Sequence, residues 1–406
     1  MQTFGTYNFN ADTPLERYKK SDIGFLICMI LLWGLGIFTL FFCSQNSGAR
    51  YFGDSLYYVK RQLICSAIGF AGMLCSAFLN IRVIRKLLPI IVLITFIMCL
   101  CTFIPGISEE KNGARRWLKM PLSFTFQPSE LVKFVLVLYL ANAFDKQHDF
   151  QDAEDRSTML MIAMFGFLLF VCVVIAQKDL STGAFLFGLG ILLYIVSGTK
   201  LRWLVPVAPL VILGTVLLIC LEPYRLQRVV GFFHKNEGVA TFNYQTIKAR
   251  QAISSGGLIG NGIGSELFRL NSIPEVQADY IFAGWVEAFG FFGVVIYFAI
   301  LGAFAWRGFR ISSKCTNRFA AYASFGCVAS ITAQSIVNVA VVCGVLPSTG
   351  IPLPFFSLGG SSIIVSLTMC GFVLNASRCD DTEEFYTNSK NNVKINEYIN
   401  VDLGDF

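Results

Sequence analysis

The sequence predicts an all-α polytopic membrane protein, with ten transmembrane helices and a large extracytoplasmic loop between spans 7 and 8. Three observations predict it. The 406-residue chain is 55% hydrophobic and only 14% charged, where a soluble domain carries about 25% charged residues. Its apolar residues gather in successive runs of about 17–25, long enough to cross a ~30 Å hydrocarbon core as helices and too long for the ~10-residue spans of a strand barrel. Between Cys220 and Trp285 that rhythm stops, which marks one long polar excursion.

The runs lie near residues 23–43, 62–80, 87–106, 130–144, 158–176, 183–198, 203–221, 281–305, 319–344 and 359–377. The first is preceded by a polar stretch, 1–22, and lacks a small-residue cleavage site, so it is expected to be retained and to act as its own insertion signal. Lys and Arg in short loops set the orientation. With the amino terminus cytoplasmic, residues such as Arg82, Arg85, Lys86, Lys146, Arg307, Arg310 and Lys314 fall inside. Inside cations then outnumber outside ones by roughly two to one, placing both termini in the cytoplasm. Lys111, Arg115, Arg116 and Lys119 run against that rule in the outer segment 107–129. The organisation read is a cytoplasmic tail over 1–22, a membrane domain over 23–378 with the outer loop at 222–280, and an acidic tail over 379–406. The last has little apolar content and is read as disordered and open to cytoplasmic partners.

The net charge of +6 gives no reason to expect nucleic acid, and most of the 13 cysteines lie inside apolar runs as small fillers. With two histidines and no Cys/His cluster, zinc is not expected.

Chemistry concentrates in a few polar segments. Pro274-Glu-Val-Gln-Ala-Asp279-Tyr-Ile-Phe282 carries an acid where the outer loop re-enters the apolar phase. An ionisable group there is costly and suggests function, while the plain alternative is a solvated loop carboxylate. Gln127-Pro-Ser-Glu130-Leu-Val-Lys133 opens the fourth span. Pro128 suits a first helical turn, and Glu130 and Lys133, three apart, share one helical face. They line a cavity or neutralise one another. Arg115 and Arg116 suit phosphate or pyrophosphate oxygens, or lipid head groups. Asp179, in Gln177-Lys-Asp179-Leu-Ser-Thr182, stands where it would cap the sixth span.

Gly256, Gly257, Gly260, Gly262 and Gly264 lack the strand and βαβ unit that a dinucleotide site needs, so tight turns explain them better. Tyr244–Phe268 reads as a short amphipathic or re-entrant element at the membrane surface. Pro347, Pro352 and Pro354 break the chain before the last span, with Ser357 and the small-residue entry Gly359–Ser362 after them. That segment reads as mainly architectural. Asn338, inside span nine, is placed to bond across helices.

Taken in order, Asn112–Trp117, Gln127–Lys133, Gln177–Thr182, Tyr244–Gly264, Pro274–Phe282 with Glu287 and Gly290, and Pro347–Ser362 resemble the SEDS (shape, elongation, division and sporulation) family. The match is to its RodA/FtsW-type peptidoglycan glycosyltransferases. The resemblance covers most of the chain from residue 60 onward. It implies a ten-span enzyme that polymerises lipid II at the outer face of the cytoplasmic membrane, with Asp279 as the catalytic aspartate of the outer loop. Arg115, Arg116, Glu130 and Lys133 would then meet the substrate and its pyrophosphate, and Asp179, Glu287 and Ser357 are cavity or structural residues. It also implies a class B penicillin-binding protein transpeptidase as partner, alongside other divisome or elongasome membrane proteins. No cofactor is required, although a divalent cation, Mg or Mn, would suit a diphosphate donor. The chain departs from the family at Lys178 and Ser181, at Ala278 before the loop acid, and at Ala288-Phe289 after Glu287. The Asn112–Trp117 segment looks more like the division branch than the elongation branch. Two other functions fit the same residues: a flippase for the same lipid, using the Glu130/Lys133 face, and a non-catalytic scaffold for a transpeptidase.

Overall fold

A computed structural model describes residues 21–111, 114–120, 124–147, 152–199, 244–263 and 276–379. The run expected at 203–221, the two tails and most of the outer loop lie outside the described residues.

Eleven helices are described: α1 (Ile23–Phe52), α2 (Tyr57–Phe78), α3 (Ile81–Cys101), α4 (Pro128–Lys146), α5 (Ala153–Ala176), α6 (Leu180–Val196), α7 (Tyr244–Gly256), α8 (Val276–Asp279), α9 (Ile281–Lys314), α10 (Arg318–Val342) and α11 (Gly360–Ala376). Among the described residues α1, α2, α3, α5, α9 and α10 are long and apolar enough to cross a membrane, while α6 and α11 are shorter apolar helices. The ends follow local chemistry. Asp22 caps α1 by accepting from the Phe25 amide at 2.7 Å, and Gly53 ends it in the left-handed conformation. Asn80 and Asn317 cap α3 and α10 in the same way as Asp22. Pro128 opens α4.

The prediction of an all-α chain needs one correction. Between α3 and α4 stands a three-stranded antiparallel sheet of β1 (Ser108–Lys111), β2 (Ala114–Met120) and β3 (Phe124–Phe126), in spatial order β1-β2-β3. Glu110 pairs in register with Arg115, and Leu118 with Phe126. Opposite charges directly across a strand pair favour that register. The strands are short and their alternation is weak, so the period-2 signal is lost among charges.

Helix α4 is the hub, packed against α3, α5, α6, α10 and α11. The α2–α11 contact is the most extensive between helices, and a β-carbon on Gly371 would fall on the Met73 carbonyl, so only glycine lets the backbones approach there. Ser76 donates to the Thr368 carbonyl at 2.8 Å across the same seam.

Helix α9 is not one continuous rod. Gly290 sits at φ 61, ψ −154, a conformation open only to glycine, and breaks it. The turn after α7 fills that break. Asn261 donates its amide to the Glu287 carbonyl at 2.9 Å, and the Phe291 amide donates to the Gly257 carbonyl at 3.0 Å. The glycine cluster thus serves close backbone approach, and α7 covers the first half of the amphipathic or re-entrant element expected over Tyr244–Phe268.

Candidate functional site

Asp279 ends the short helix α8, separated from α9 by the buried Tyr280 alone, and is itself part-exposed. Three contacts hold its backbone and neighbours. The Asn338 amide group of α10 donates to the Asp279 carbonyl at 3.0 Å, the Leu358 amide donates to the Gln277 carbonyl at 2.8 Å, and the Thr246 and Tyr280 hydroxyls meet at 2.9 Å. The carboxylate lies against Gly350, where a β-carbon would stand 3.6 Å from Oδ2. The backbone around Asp279 is thus fixed while the residue stays part-exposed.

Helix α4 presents the charged pair. Lys133 Nζ is 2.7 Å from Glu130 Oε2, with both side chains almost wholly buried. Lys133 also donates to Gln334 Oε1 at 2.7 Å, and Gln334 Nε2 donates to the Pro352 carbonyl at 2.8 Å. Gln334 and Asn338 are one turn apart on α10, hence on one face. Asn338 in turn donates to the Ile351 carbonyl at 2.8 Å. A polar line therefore runs from Glu130 and Lys133 through Gln334, the backbone of the proline segment and Asn338 to Asp279. The sequence reading recognised Asn338 as a cross-helix donor but missed Gln334, whose only signal was an uncharged polar residue on the same face.

The outer cations are engaged separately. Arg115 Nε is 3.2 Å from Glu110 Oε2 on the exposed side of the sheet. Arg116 reaches the α5–α6 turn, donating to the Lys178 carbonyl and standing 3.7 Å from Asp179 Oδ1. Asp179 caps α6 by accepting from the Thr182 amide at 3.3 Å, and its other oxygen accepts from Gln127 Nε2 at 3.3 Å. Of the four cations expected on the outer side, the two arginines are thus each brought to an acid by the sheet.

Lys178 has φ 64, unusual for a residue with a side chain. Its amide donates to the Ile175 carbonyl and the Asp179 amide to the Val174 carbonyl, the two hydrogen bonds of a left-handed helix ending. Proline could not adopt that φ at this position.

Ser357 and Glu287 have packing partners. Ser357 Oγ accepts from the Leu353 amide at 2.8 Å, and its carbonyl accepts from Gln62 at 3.1 Å. Glu287, fully buried at the break in α9, accepts from the Ser255 hydroxyl at 3.3 Å. The structure thus joins Asp279, Glu130 and Lys133 by one polar line, gathers Arg116 with Asp179, and leaves Arg115 on the outer sheet. Among the described residues no group of three or more His, Cys, Asp or Glu is assembled to hold a metal ion.

The comparisons with known proteins bear on the whole of this arrangement. The FtsW/RodA/SpoVE model, described as cell cycle protein, matches residues 23–382. The chain is 30% identical over 367 residues to a probable peptidoglycan glycosyltransferase FtsW of Geobacter sp. (strain M18), covering 89% of this chain and 98% of that one. It is 30% identical over 364 residues to stage V sporulation protein E of Bacillus subtilis (strain 168), covering 89% and 98%. The fold resembles a chain from a peptidoglycan synthase complex that coordinates polymerization and crosslinking, with TM-score 0.72 at 24% identity over 90% of this chain and 100% of that one. It also resembles the rod shape determining protein RodA of Thermus thermophilus, with TM-score 0.64 at 23% identity over 89% and 98%. By a match that runs from the start of α1 to beyond the end of α11, the chain belongs to the SEDS family, the cell cycle proteins of the FtsW, RodA and SpoVE kind.

Proposed function

We propose that this chain is a peptidoglycan glycosyltransferase that polymerises lipid II at the outer face of the cytoplasmic membrane, with Asp279 as general base. The observation that carries this reading is the placement of Asp279, held through its backbone by Asn338 at 3.0 Å and joined by a polar line to the buried Lys133.

The chemistry follows from the donor. The 4-hydroxyl of the acceptor sugar attacks the anomeric carbon of the lipid-linked donor, forming the new glycosidic C–O bond. The bond from that carbon to the pyrophosphate breaks, and polyprenyl pyrophosphate leaves with the electron pair. Asp279 takes the hydroxyl proton, a contribution of about 10²–10⁴ in rate. Negative charge grows on the leaving oxygens, where cationic donors stabilise it best. Lys133, Arg115 and Arg116 are assigned there; for Arg116 the pyrophosphate would share the guanidinium with Asp179. A divalent cation, Mg or Mn, would suit the same charge; among the described residues no acidic cluster is assembled for one.

The same reading takes the chain to cross the membrane ten times with both termini cytoplasmic, the seventh span falling at 203–221. It works at the division septum with a class B penicillin-binding protein and other division proteins. The division assignment rests on the Asn112–Trp117 segment and on the FtsW and sporulation-protein relatives, and imaging of a fluorescent fusion at the septum or along the side wall tests it.

A second reading, translocation of the same lipid, is favoured by the buried Glu130–Lys133 pair in the bundle centre. One experiment separates the two. Purified protein in detergent, supplied with lipid II, is expected to make glycan polymer, and Asp279→Ala to make none while keeping the wild-type melting profile. Polymer from Asp279→Ala would remove Asp279 from the mechanism, and no polymer from wild type would favour translocation or a scaffold.

A further inference from the structure

The turn that fills the break in α9 has a second property. Leu258 is 68% exposed and Ile259 80% exposed, with Ile263, Phe291 and Phe292 exposed beside them. The turn and the helix are joined by backbone hydrogen bonds, Phe291 to Gly257 at 3.0 Å and Phe292 to Leu258 at 3.2 Å, so exposed apolar residues of the turn stand beside exposed Phe291 and Phe292. Further along α9, a membrane-spanning helix, Val295 and Ile296 are exposed as well.

Its depth follows from α9 itself. Exposed Trp306 and the Arg307–Asp22 ion pair mark the end of the helix near the start of α1, and Trp and Arg belong at the interface. A hydrocarbon core of ~30 Å takes about twenty helical residues at ~1.5 Å each. From Trp306 back to Phe291, on the unbroken side of Gly290, the helix rises about 22 Å, so Phe291, Phe292 and the turn beside them fall within the opposite leaflet.

The backbone of the turn is prepared for that medium. Gly260 donates to Gly256 at 2.8 Å, Asn261 to Glu287 at 2.9 Å and Gly262 to Ala288 at 3.2 Å, while the Gly257 and Leu258 carbonyls accept from α9. Non-helical backbone survives at membrane depth only when its polar groups are satisfied by protein. A turn in water would have no need to bury its amides against a broken helix and then present leucine and isoleucine outward.

We propose that the turn Gly257–Ile263 is a lipid anchor, with Leu258, Ile259 and Ile263 inserted among acyl chains of the outer leaflet beside Phe291 and Phe292. Through the first half of α9, and through the Thr246–Tyr280 contact, the anchor holds Asp279 at a fixed height over the bilayer. Lipid insertion does not depend on the chemistry assigned to Asp279.

The test places tryptophan at Ile259, whose exposure leaves room for the ring. The full chain carrying Ile259→Trp is reconstituted into phosphatidylethanolamine/phosphatidylglycerol vesicles with and without dibrominated acyl chains. Emission of the parent protein is subtracted. The added emission is expected to fall by about half or more with brominated lipid and to be left unchanged by aqueous iodide, as for a side chain within the acyl region. Quenching by iodide alone would place the turn in water and overturn the anchor. Quenching by neither would show that protein covers it, a partner helix or a second copy, and would overturn it equally. Leu258→Trp at the adjacent position gives the same reading should the first variant misfold.

Discussion

Two ion pairs in this protein have the same length and opposite meaning. Lys133 and Glu130 meet at 2.7 Å with their side chains 4% and 5% exposed, while Lys60 and Asp54 meet at 2.7 Å with theirs 62% and 40% exposed. The first sits at the centre of the helix bundle, where each charge has lost its water. The second joins the α1–α2 turn to the start of α2 in solvent, where screening and side-chain entropy cancel most of the attraction. Distance alone therefore says little. Burial decides whether a pair is a structural commitment, and the Arg116–Asp179 contact, with one partner buried and the other part-exposed, stands between the two.

Breaking the three pairs in turn tests that ordering. Lys133→Ala strands Glu130 in the bundle and also removes the donor to Gln334, so a loss of about 3–5 kcal/mol is expected in denaturation of the purified protein. The paired replacement Glu130→Gln with Lys133→Met is expected to recover most of that stability while polymerisation stays lost. Recovery of both would make the pair purely structural. Arg116→Ala leaves the Asp179 carboxylate its cap and its Gln127 contact, so about 1–3 kcal/mol is expected. With lipid II, a rise in KM that Arg116→Lys only partly repairs would identify a forked contact to the pyrophosphate. Lys60→Ala is expected to leave the melting temperature within experimental error.

The outer pair should also show its pH dependence. The Lys60 hydrogen bond, then that from the Leu56 amide, holds the Asp54 carboxyl below its ordinary value of 3.8. Its folded pKa is lower than its unfolded one, so whatever the pair contributes is complete above 3.8 and fades as pH falls through the folded value. The direction is checked on the carboxylate itself: in Lys60→Ala the Asp54 pKa, followed by NMR, is expected to rise towards 3.8.

How much of this was legible beforehand depended on range. Helices such as α1, α3 and α10 follow from apolar runs and their caps, because a helix satisfies its own backbone and needs only nearby residues to declare itself. Pro128 and Asp179 opened helices where their local chemistry placed them. The sheet β1–β3 did not declare itself, since its signal is a few cross-strand partners among charges. The break at Gly290 was equally silent, because its cause is the turn after α7, some thirty residues earlier, supplying the missing backbone partners.

The sequence by itself determined a helical membrane protein, its family motifs and the candidacy of Asp279, Glu130 and Lys133, for hydropathy and helical spacing are local properties of the chain. Only the tertiary structure decided that Lys133 is shared between Glu130 and Gln334, that Arg116 is turned towards Asp179, and that Asn338 holds the Asp279 backbone. Those choices are made by distance and burial between residues far apart in sequence, which appear only when the helices pack.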